Sequence, residues 1–384
     1  MQLLEYLAWL LIGLSCLGCG YLWYACNAVE KFARRPRSRA ARQPPVTVLK
    51  PLRGEDPALA ENLRSFLRQD YPVFQLVCGV ADAGDPAVAV VRRLMAEFPQ
   101  ADMALVADPR QPSANLKIAN LRNMMAAARH DLLVLADSDM RVGGDYLATV
   151  TAPLVSDPGI GLVTCLYRAL SAGGLWSDLA SLHINHGFLP QAVVGEAIGQ
   201  GAGCFGATMV LERSTLAAVG GFEALADQLA DDHALGRAVR GLGRRVELSP
   251  YVVDDIVAEA DFIGLFRHEL RWARTIRLVA AAGYAGSVVT FPVPLALLAL
   301  CLGAAPAGAA GMLLLALLAR ALSARRIDRA LRLKAAPLWL LPVRDVLSFV
   351  VFIASFFGRS VAWRDRRFRI GPGGQLVIVP EKSR

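Results

Sequence analysis

Three apolar runs and one alternating stretch divide the chain. Leu7–Val29 holds no charged residue and is long enough to cross a bilayer. Only Glu5 stands just before it, and the basic block "EKFARRPRSRAAR" follows it. That order fits a signal anchor with its C-terminal side in the cytoplasm and does not fit a cleaved signal peptide. Leu278–Ala319 is also free of charge and too long for one span. Its central "GAAPAG" predicts a turn, hence a hairpin of two helices. The third run, 335–358, carries Pro342, Arg344 and Asp345. Charges inside a membrane are expensive, so this run reads as a full span or as a re-entrant or interfacial element. Three C-terminal spans would place the arginine-rich tail outside, against the positive-inside tendency, which favours two full spans.

Between the apolar runs the pattern changes to short strands alternating with amphipathic helices. "PVTVLKPL", "FQLVCGV", "MALVA" and "DLLVLA" read as strands. "DPALAENLRSFLRQD", "PAVAVVRRLMAEF" and "NLKIANLRNMMAAARH" read as the helices between them, the first opened by Asp56-Pro57. The alternation predicts an α/β domain with a mostly parallel sheet. Ligands of such sheets bind beyond the carboxyl ends of the strands. Two acidic clusters fall there: Asp82 with Asp85, and Asp137 with Asp139.

Composition agrees with a membrane protein. Of 384 residues 55% are hydrophobic and only 19% charged. The net charge of +8 gathers beside the apolar runs, at 31–42, 320–334 and 359–369, where it suits anionic lipid headgroups. No basic patch is interleaved with aromatics and no nucleic-acid motif is present, which excludes a nucleic-acid partner. The seven cysteines show no ligand spacing outside Cys16-x-x-Cys19, which lies in the anchor and reads as helix packing. A reducing compartment is consistent with this.

The candidate chemistry lies in four places. "ADSD" drives an apolar strand into Asp137 and Asp139, two like charges that call for a cation, a proton or a ligand between them. Mg²⁺ and Mn²⁺ prefer one or two carboxylates plus substrate phosphate oxygens, so Asp139 is expected to hold such a metal on a diphosphate, with Asp137 near the nucleotide sugar. Asp231 and Asp232 open a helix near His233. Asp231 fits charge complementarity at a helix start, whereas Asp232 suits a general base. Arg267, Arg271, Arg274 and Arg277 form one helical stripe, facing lipid phosphates, the active site or both. His183 and His186 line an acceptor entrance or a polar helix face.

Taken in order, Asp82, "DSD" at 137–139, Asp232 in "LADDHALG" and "HELRW" at 268–272 resemble the GT-A glycosyltransferases, in particular their membrane-linked inverting members. With "VLKPLRGEDPALAENLRSFLRQDYP" and "NLKIANL", the chain is similar over about residues 1–370 to the ceramide glucosyltransferase family, and more narrowly to bacterial hopanoid biosynthesis-associated glycosyltransferases. His268 departs from the Gln or Arg usual at that position.

The resemblance implies an α/β fold: a GT-A (nucleotide-diphospho-sugar transferase) domain plus N-terminal and C-terminal transmembrane helices. It implies an N-terminal anchor at 1–30 and a cytoplasmic catalytic domain at 45–277 ending in an interfacial helix. Membrane segments at 278–358 and a basic tail at 359–384 follow. It further implies that Asp82 binds the uracil or ribose end of a UDP-sugar, that Lys117 approaches the diphosphate and that Asp137 supports the nucleotide. Asp139 then binds Mg²⁺ or Mn²⁺, and Asp232 deprotonates a lipid hydroxyl. Arg271 and Trp272, with His268 a turn before, lie beside diphosphate and acceptor. The expected reaction carries N-acetylglucosamine from UDP-GlcNAc to a hopanoid such as bacteriohopanetetrol, at the bacterial inner membrane. UDP-glucose and ceramide form the alternative pair. A processive polysaccharide synthase would need more spans, and a transporter or scaffold would not need three acidic sites beside an Arg-Trp helix.

Overall fold

The structure, a computed structural model, describes residues 2–54, 58–111, 113–199, 203–358, 360–363, 366–370 and 376–378. The chain forms two compact units. One comprises Met1–Arg35, Gly173–Gly201 and Glu259–Arg366, the other Pro36–Ala172, Ala202–Ala258 and Arg367–Arg384.

The chain opens in α1 (Gln2–Ala33). Then β1 (Val46–Pro51), α2 (Leu59–Leu67), β2 (Phe74–Val80), α3 (Pro86–Glu97), β3 (Asp102–Ala107), α4 (Leu116–Met124) and β4 (Leu132–Leu135) alternate as the apolar pattern predicts. The expected Asp56-Pro57 start of α2 lies outside the described residues. Next come β5 (Met140–Arg141), α5 (Tyr146–Ser156), β6 (Ile160–Thr164) and β7 (Tyr167–Ser171). Helices α6 (Leu175–His183) and α7 (Leu189–Ala197) are joined through a π-helical turn, Ile184–Phe188. The chain then returns to the sheet unit through β8 (Met209–Glu212), α8 (Arg213–Ala218), α9 (Asp231–Gly241), β9 (Arg245–Leu248) and β10 (Val253–Val257). Helices α10 (Phe262–Val279), α11 (Ala281–Gly286), α12 (Pro292–Cys301), α13 (Pro306–Ala330) and α14 (Leu340–Ser355) follow.

The main sheet has the order β3-β2-β1-β4-β8-β6-β9. Strands β1 to β4 are mutually parallel, β8 runs against β4 and β6, and β9 is parallel to β6. Side chains alternate across it. Val46 and Val48 pack with Leu63, Phe66 and Val91 on one face, and Leu49 with Ile118, Leu121 and Leu235 on the other. Both faces are therefore covered, which is why these strands read as nearly unbroken apolar runs. A second sheet, β5-β10-β7, extends the unit.

Helix α4 stops six residues short of the expected end at His130. The reason is a polar pair inside the sheet. Thr47 and Gln75 are fully buried and bonded to each other at 3.0 Å. They accept the backbone N–H groups of His130 and Arg129, which bends the connection down onto the strands.

The other unit holds the apolar helices. By length and composition α1 and α13 suffice to cross a membrane, and α11 with its following 3-10 turn plus α12 form a pair bent by 67°. The hairpin expected over Leu278–Ala319 thus has a broken first arm. Phe291 leaves the helical region and Pro292 and Pro294 open α12, because proline lacks the N–H that would continue the preceding turn. Ser15 Oγ on α1 donates to the Pro292 carbonyl at 2.8 Å. Helix α14 has 16 residues, and both of its charges are buried in ion pairs: Arg344 with Glu269 and Asp345 with Arg320. Beyond it only short backbone segments of the basic tail 359–384 are described, among them β11 (Ser360–Trp363) and the antiparallel pair β12 (Arg366–Ile370) and β13 (Leu376–Ile378).

Candidate active site

The Asp137-Ser138-Asp139 segment does not continue β4. It turns between β4 and β5, so strand alternation does not set the direction of its carboxylates. What sets it is the backbone. The Asp137 carbonyl accepts from Lys50 Nζ, the Ser138 carbonyl from Asn62 Nδ2 at 3.4 Å, and the Asp139 carbonyl from the Ile256 N–H at 3.2 Å. Ahead of the turn, the Ala136 N–H donates to the Leu49 carbonyl at 3.1 Å. Lys50 is the unexpected member. It is fully buried on β1 with its Nζ 4.0 Å from the Phe66 ring centre. Burial lowers its pKa to about 8, while Asp139 and Asp137 pull it back up.

The two carboxylates of the turn meet different neighbours. Lys117, in the first turn of α4, holds Asp137 Oδ1 at 2.6 Å and faces Asp231 Oδ2 at 3.7 Å. A cation at a helix start opposes the helix dipole, so its place there depends on these acids. Burial pulls the Lys117 pKa down, but Asp137 and Asp231 outweigh it and carry the group above the ordinary lysine range. Asn115 builds this corner. Buried at the start of α4, it caps the helix through the N–H groups of Lys117 and Ile118. Its Nδ2 donates to the Gln228 carbonyl and to Asp231 Oδ1.

Asp231 and Asp232 therefore divide. Asp231 is committed to Asn115, while its Oδ2 accepts no hydrogen bond and points to Lys117. Asp232 is held by two backbone donors, Gly206 N–H at 3.0 Å and His233 N–H at 2.7 Å. Burial and then the charge of Asp231 raise its pKa to about 6, against the pull of Lys117 and the two donors. A carboxylate poised there is ionised at neutral pH yet basic enough to take a proton.

Gly206 closes the group. A Cβ at this position would lie 3.1 Å from Lys117 Nζ, 3.4 Å from Asp137 Oδ2 and 3.6 Å from Asp232 Oδ2. The residue thus marks the point where Lys117, Asp137 and Asp232 come together, and a glycine leaves that space open. Gly206→Ala is expected to crowd Lys117 Nζ by a few tenths of an ångström and to weaken binding of a nucleotide diphosphate by about tenfold, near the low end of the worth of one charged hydrogen bond. Titration of the variant with UDP by calorimetry measures this, and unchanged affinity would remove Gly206 from the site.

Asp82 stands on the same carboxyl edge, at the end of β2, with β1 between β2 and β4. It is exposed and its Oδ1 accepts the Gly84 N–H at 2.9 Å. Its expected companion Asp85 is structural. It caps α3 through the Ala87 N–H and takes the Gly54 N–H on both oxygens. For a metal, the described residues contain no group of three or more His, Cys, Asp or Glu arranged around one point. The half-buried carboxylates of Asp137 and Asp139, with Asp231 Oδ2 unbonded nearby in the same cluster, are hard oxygen donors. They fit Mg²⁺ or Mn²⁺ completing its shell from a substrate and do not fit a cation caged by protein alone.

His268, Arg271 and Trp272 lie on α10 in the other unit. His268 Nδ1 meets Glu259 Oε1 at 2.9 Å and its ring packs tilted at 59° against Trp272, centroids 4.3 Å apart, the i,i+4 spacing of a helix face. The arginine stripe splits. Arg267 is exposed, whereas Arg274 and Arg277 donate to the carbonyls of Phe357 and Gly358 at 2.6 and 3.4 Å. His186 is interior, 5% exposed, with Nε2 2.8 Å from Asp328 Oδ1, and so belongs to a buried network and lines no entrance.

A mostly parallel sheet with an acidic turn and a lysine–carboxylate cluster on its carboxyl edge defines a GT-A-like glycosyltransferase fold. Residues 10–376 match Glycosyl transferase family 21, and the chain belongs to that family. It is similar to Ceramide glucosyltransferase 1 of Caenorhabditis elegans, 24% identical over 231 residues, covering 60% of this chain and 49% of that protein. It is also similar to the ceramide glucosyltransferase of Komagataella phaffii, 30% identical over 122 residues, covering 30% of this chain and 23% of the other. The chain thus spans about half the length or less of these curated relatives. In fold it is similar to the mannosyltransferase PcManGT of Pyrobaculum calidifontis, solved with GDP-Man and Mn²⁺. That likeness has a TM-score of 0.52 and 20% identity and covers 92% of this chain and 99% of that one.

Proposed function

We propose that the protein is a membrane-bound inverting glycosyltransferase that moves a sugar from a UDP-sugar to a lipid hydroxyl. The observation that carries this is the convergence of Lys117, Asp137 and Asp232 on the space above Gly206. Lys117 binds and neutralises the diphosphate, Asp137 orients the nucleotide and Asp82 takes its uracil or ribose end. Asp139, with Asp137 beside it, would hold Mg²⁺ or Mn²⁺. When bound, the ion supplies Lewis-acid neutralisation of the leaving diphosphate. Asp232 accepts the proton of the acceptor hydroxyl as its oxygen attacks the anomeric carbon from the face opposite UDP, and the bond from that carbon to UDP breaks. Arg271, Trp272 and His268 serve the diphosphate and acceptor side.

Two helices long and apolar enough to cross a membrane support a lipid acceptor, and the motif context supports N-acetylglucosamine passing from UDP-GlcNAc to a polyhydroxylated hopanoid. The similarity to ceramide glucosyltransferases favours a second reading, UDP-glucose to ceramide. The site faces the cytoplasm at a bacterial inner membrane, where UDP-sugars are made, and Arg267 with the 31–42 block meets anionic headgroups. Mass spectrometry of lipid extracts from cells with and without the gene tests the whole reading. A gene-dependent hexosaminyl hopanoid is expected. A glucosylceramide would select the second acceptor, and no gene-dependent glycolipid would overturn both.

A further inference from the structure

Helix α10 carries Arg271 and Trp272, and it buries a narrow stripe of Leu265, Glu269 and Ala273. A carboxylate in the middle of a buried stripe is unusual, because it must find its partner in one rotation of the helix only. The partner is Arg344 on α14. Its two terminal nitrogens meet the two Glu269 oxygens at 2.8 Å each, and the pair is 1% and 3% exposed. Arg344 is itself fixed, by Ser348 Oγ at 3.0 Å and the Leu179 carbonyl at 3.4 Å. Two turns further along α10, Arg274 and Arg277 reach the carbonyls of Phe357 and Gly358 just past the end of α14. Cations there complement the unpaired carbonyls of a helix C-terminus. The neighbouring Asp345 is bonded through both oxygens to Arg320 of α13, which ties α14 to a helix long enough to span a membrane.

The segment with Arg271 and Trp272 is thus fastened on both sides, at 269 by one short helix and at 274–277 by the residues that follow it. We propose that α14 is a splint whose Arg344 is a positioning residue, fixing the rotation and axial register of α10 so that Arg271 and Trp272 are presented in one orientation for sugar transfer. This rests on the catalytic role given to those two residues above. It assigns the charges of the third apolar run to geometry and leaves lipid spanning to other helices.

The test is the full-length enzyme in nanodiscs carrying Glu269→Leu together with Arg344→Met. Replacing a buried ion pair by apolar residues of similar size often leaves stability unchanged or raised, so folding and positioning separate. The expected result is a wild-type melting curve with kcat lowered tenfold or more. Wild-type kcat in this double variant overturns the inference. Arg271→Ala and Trp272→Ala are measured alongside. If they too keep full turnover, the underlying role of α10 fails and the splint has nothing to position. If they are inactive while the double variant is not, only the splint fails. Should the double variant not melt cooperatively, Arg274→Gln with Arg277→Gln removes the second fastening at exposed contacts. The same loss of kcat is then expected, and unchanged kcat overturns the inference.

Discussion

Asp232→Asn is expected to abolish transfer, lowering kcat by roughly 10²–10⁴ while leaving UDP-sugar affinity nearly intact. The two backbone donors use different carboxylate oxygens, so the amide keeps an acceptor for one of Gly206 and His233 and gives up the other bond. What it cannot do is take a proton. The pH profile carries a second signature. Because burial and Asp231 raise the Asp232 pKa to about 6, the active ionised form is lost as pH falls through that value. Wild-type kcat should therefore rise with pH to a plateau above about 6, and the residual rate of the variant should lack that limb. A variant that fails to bind donor but keeps its maximal rate would move Asp232 to a nucleotide role.

Asp139→Asn is expected to be nearly as damaging for a different reason. Its carbonyl still accepts from Ile256, so the turn keeps its shape and only the charge at the end of the side chain is lost. Activity should fall on the order of a hundredfold or more, since a ligand to the cation on the diphosphate is worth several kcal/mol in the transition state. UDP binding measured by calorimetry with and without Mn²⁺ should lose its dependence on the metal. Full activity with an unchanged metal requirement would remove Asp139 from that role.

The strands and the acidic ends of the sheet are legible in the sequence because both follow from local pattern. Apolar blocks of strand length and turn residues do not need a partner to be recognised. The rest of the site depends on partners far along the chain. Lys50 stands in plain view in "PVTVLKPL", yet its role follows only from the Asp137 carbonyl 87 residues later. Asn115 looks like an ordinary helix start, and nothing local reveals that it also holds Asp231, 116 residues away. Gly206 carries no chemistry of its own, and its meaning is the space it leaves. Arg344 and Asp345 stand out as charges in an apolar run, but their partners lie 75 and 25 residues away, so burial cost alone predicts an oddity and not a pairing. The break before Pro292 had a local signal, the two nearby prolines, which the continuous apolarity of the run obscured.

The Asp137–Asp139 turn is fastened through main-chain carbonyls, which every amino acid possesses. Its outline thus rests in part on bonds that do not depend on which side chains it bears. Over evolutionary time a descendant can exchange a carboxylate for an amide, or lengthen it by a methylene, without rebuilding the scaffold that aims it. The Lys50 and Asn62 side chains, by contrast, are anchors of the bend whose replacement removes a bond to it. Directed evolution of this enzyme thus has a natural place to begin, at side chains carried on a largely main-chain frame.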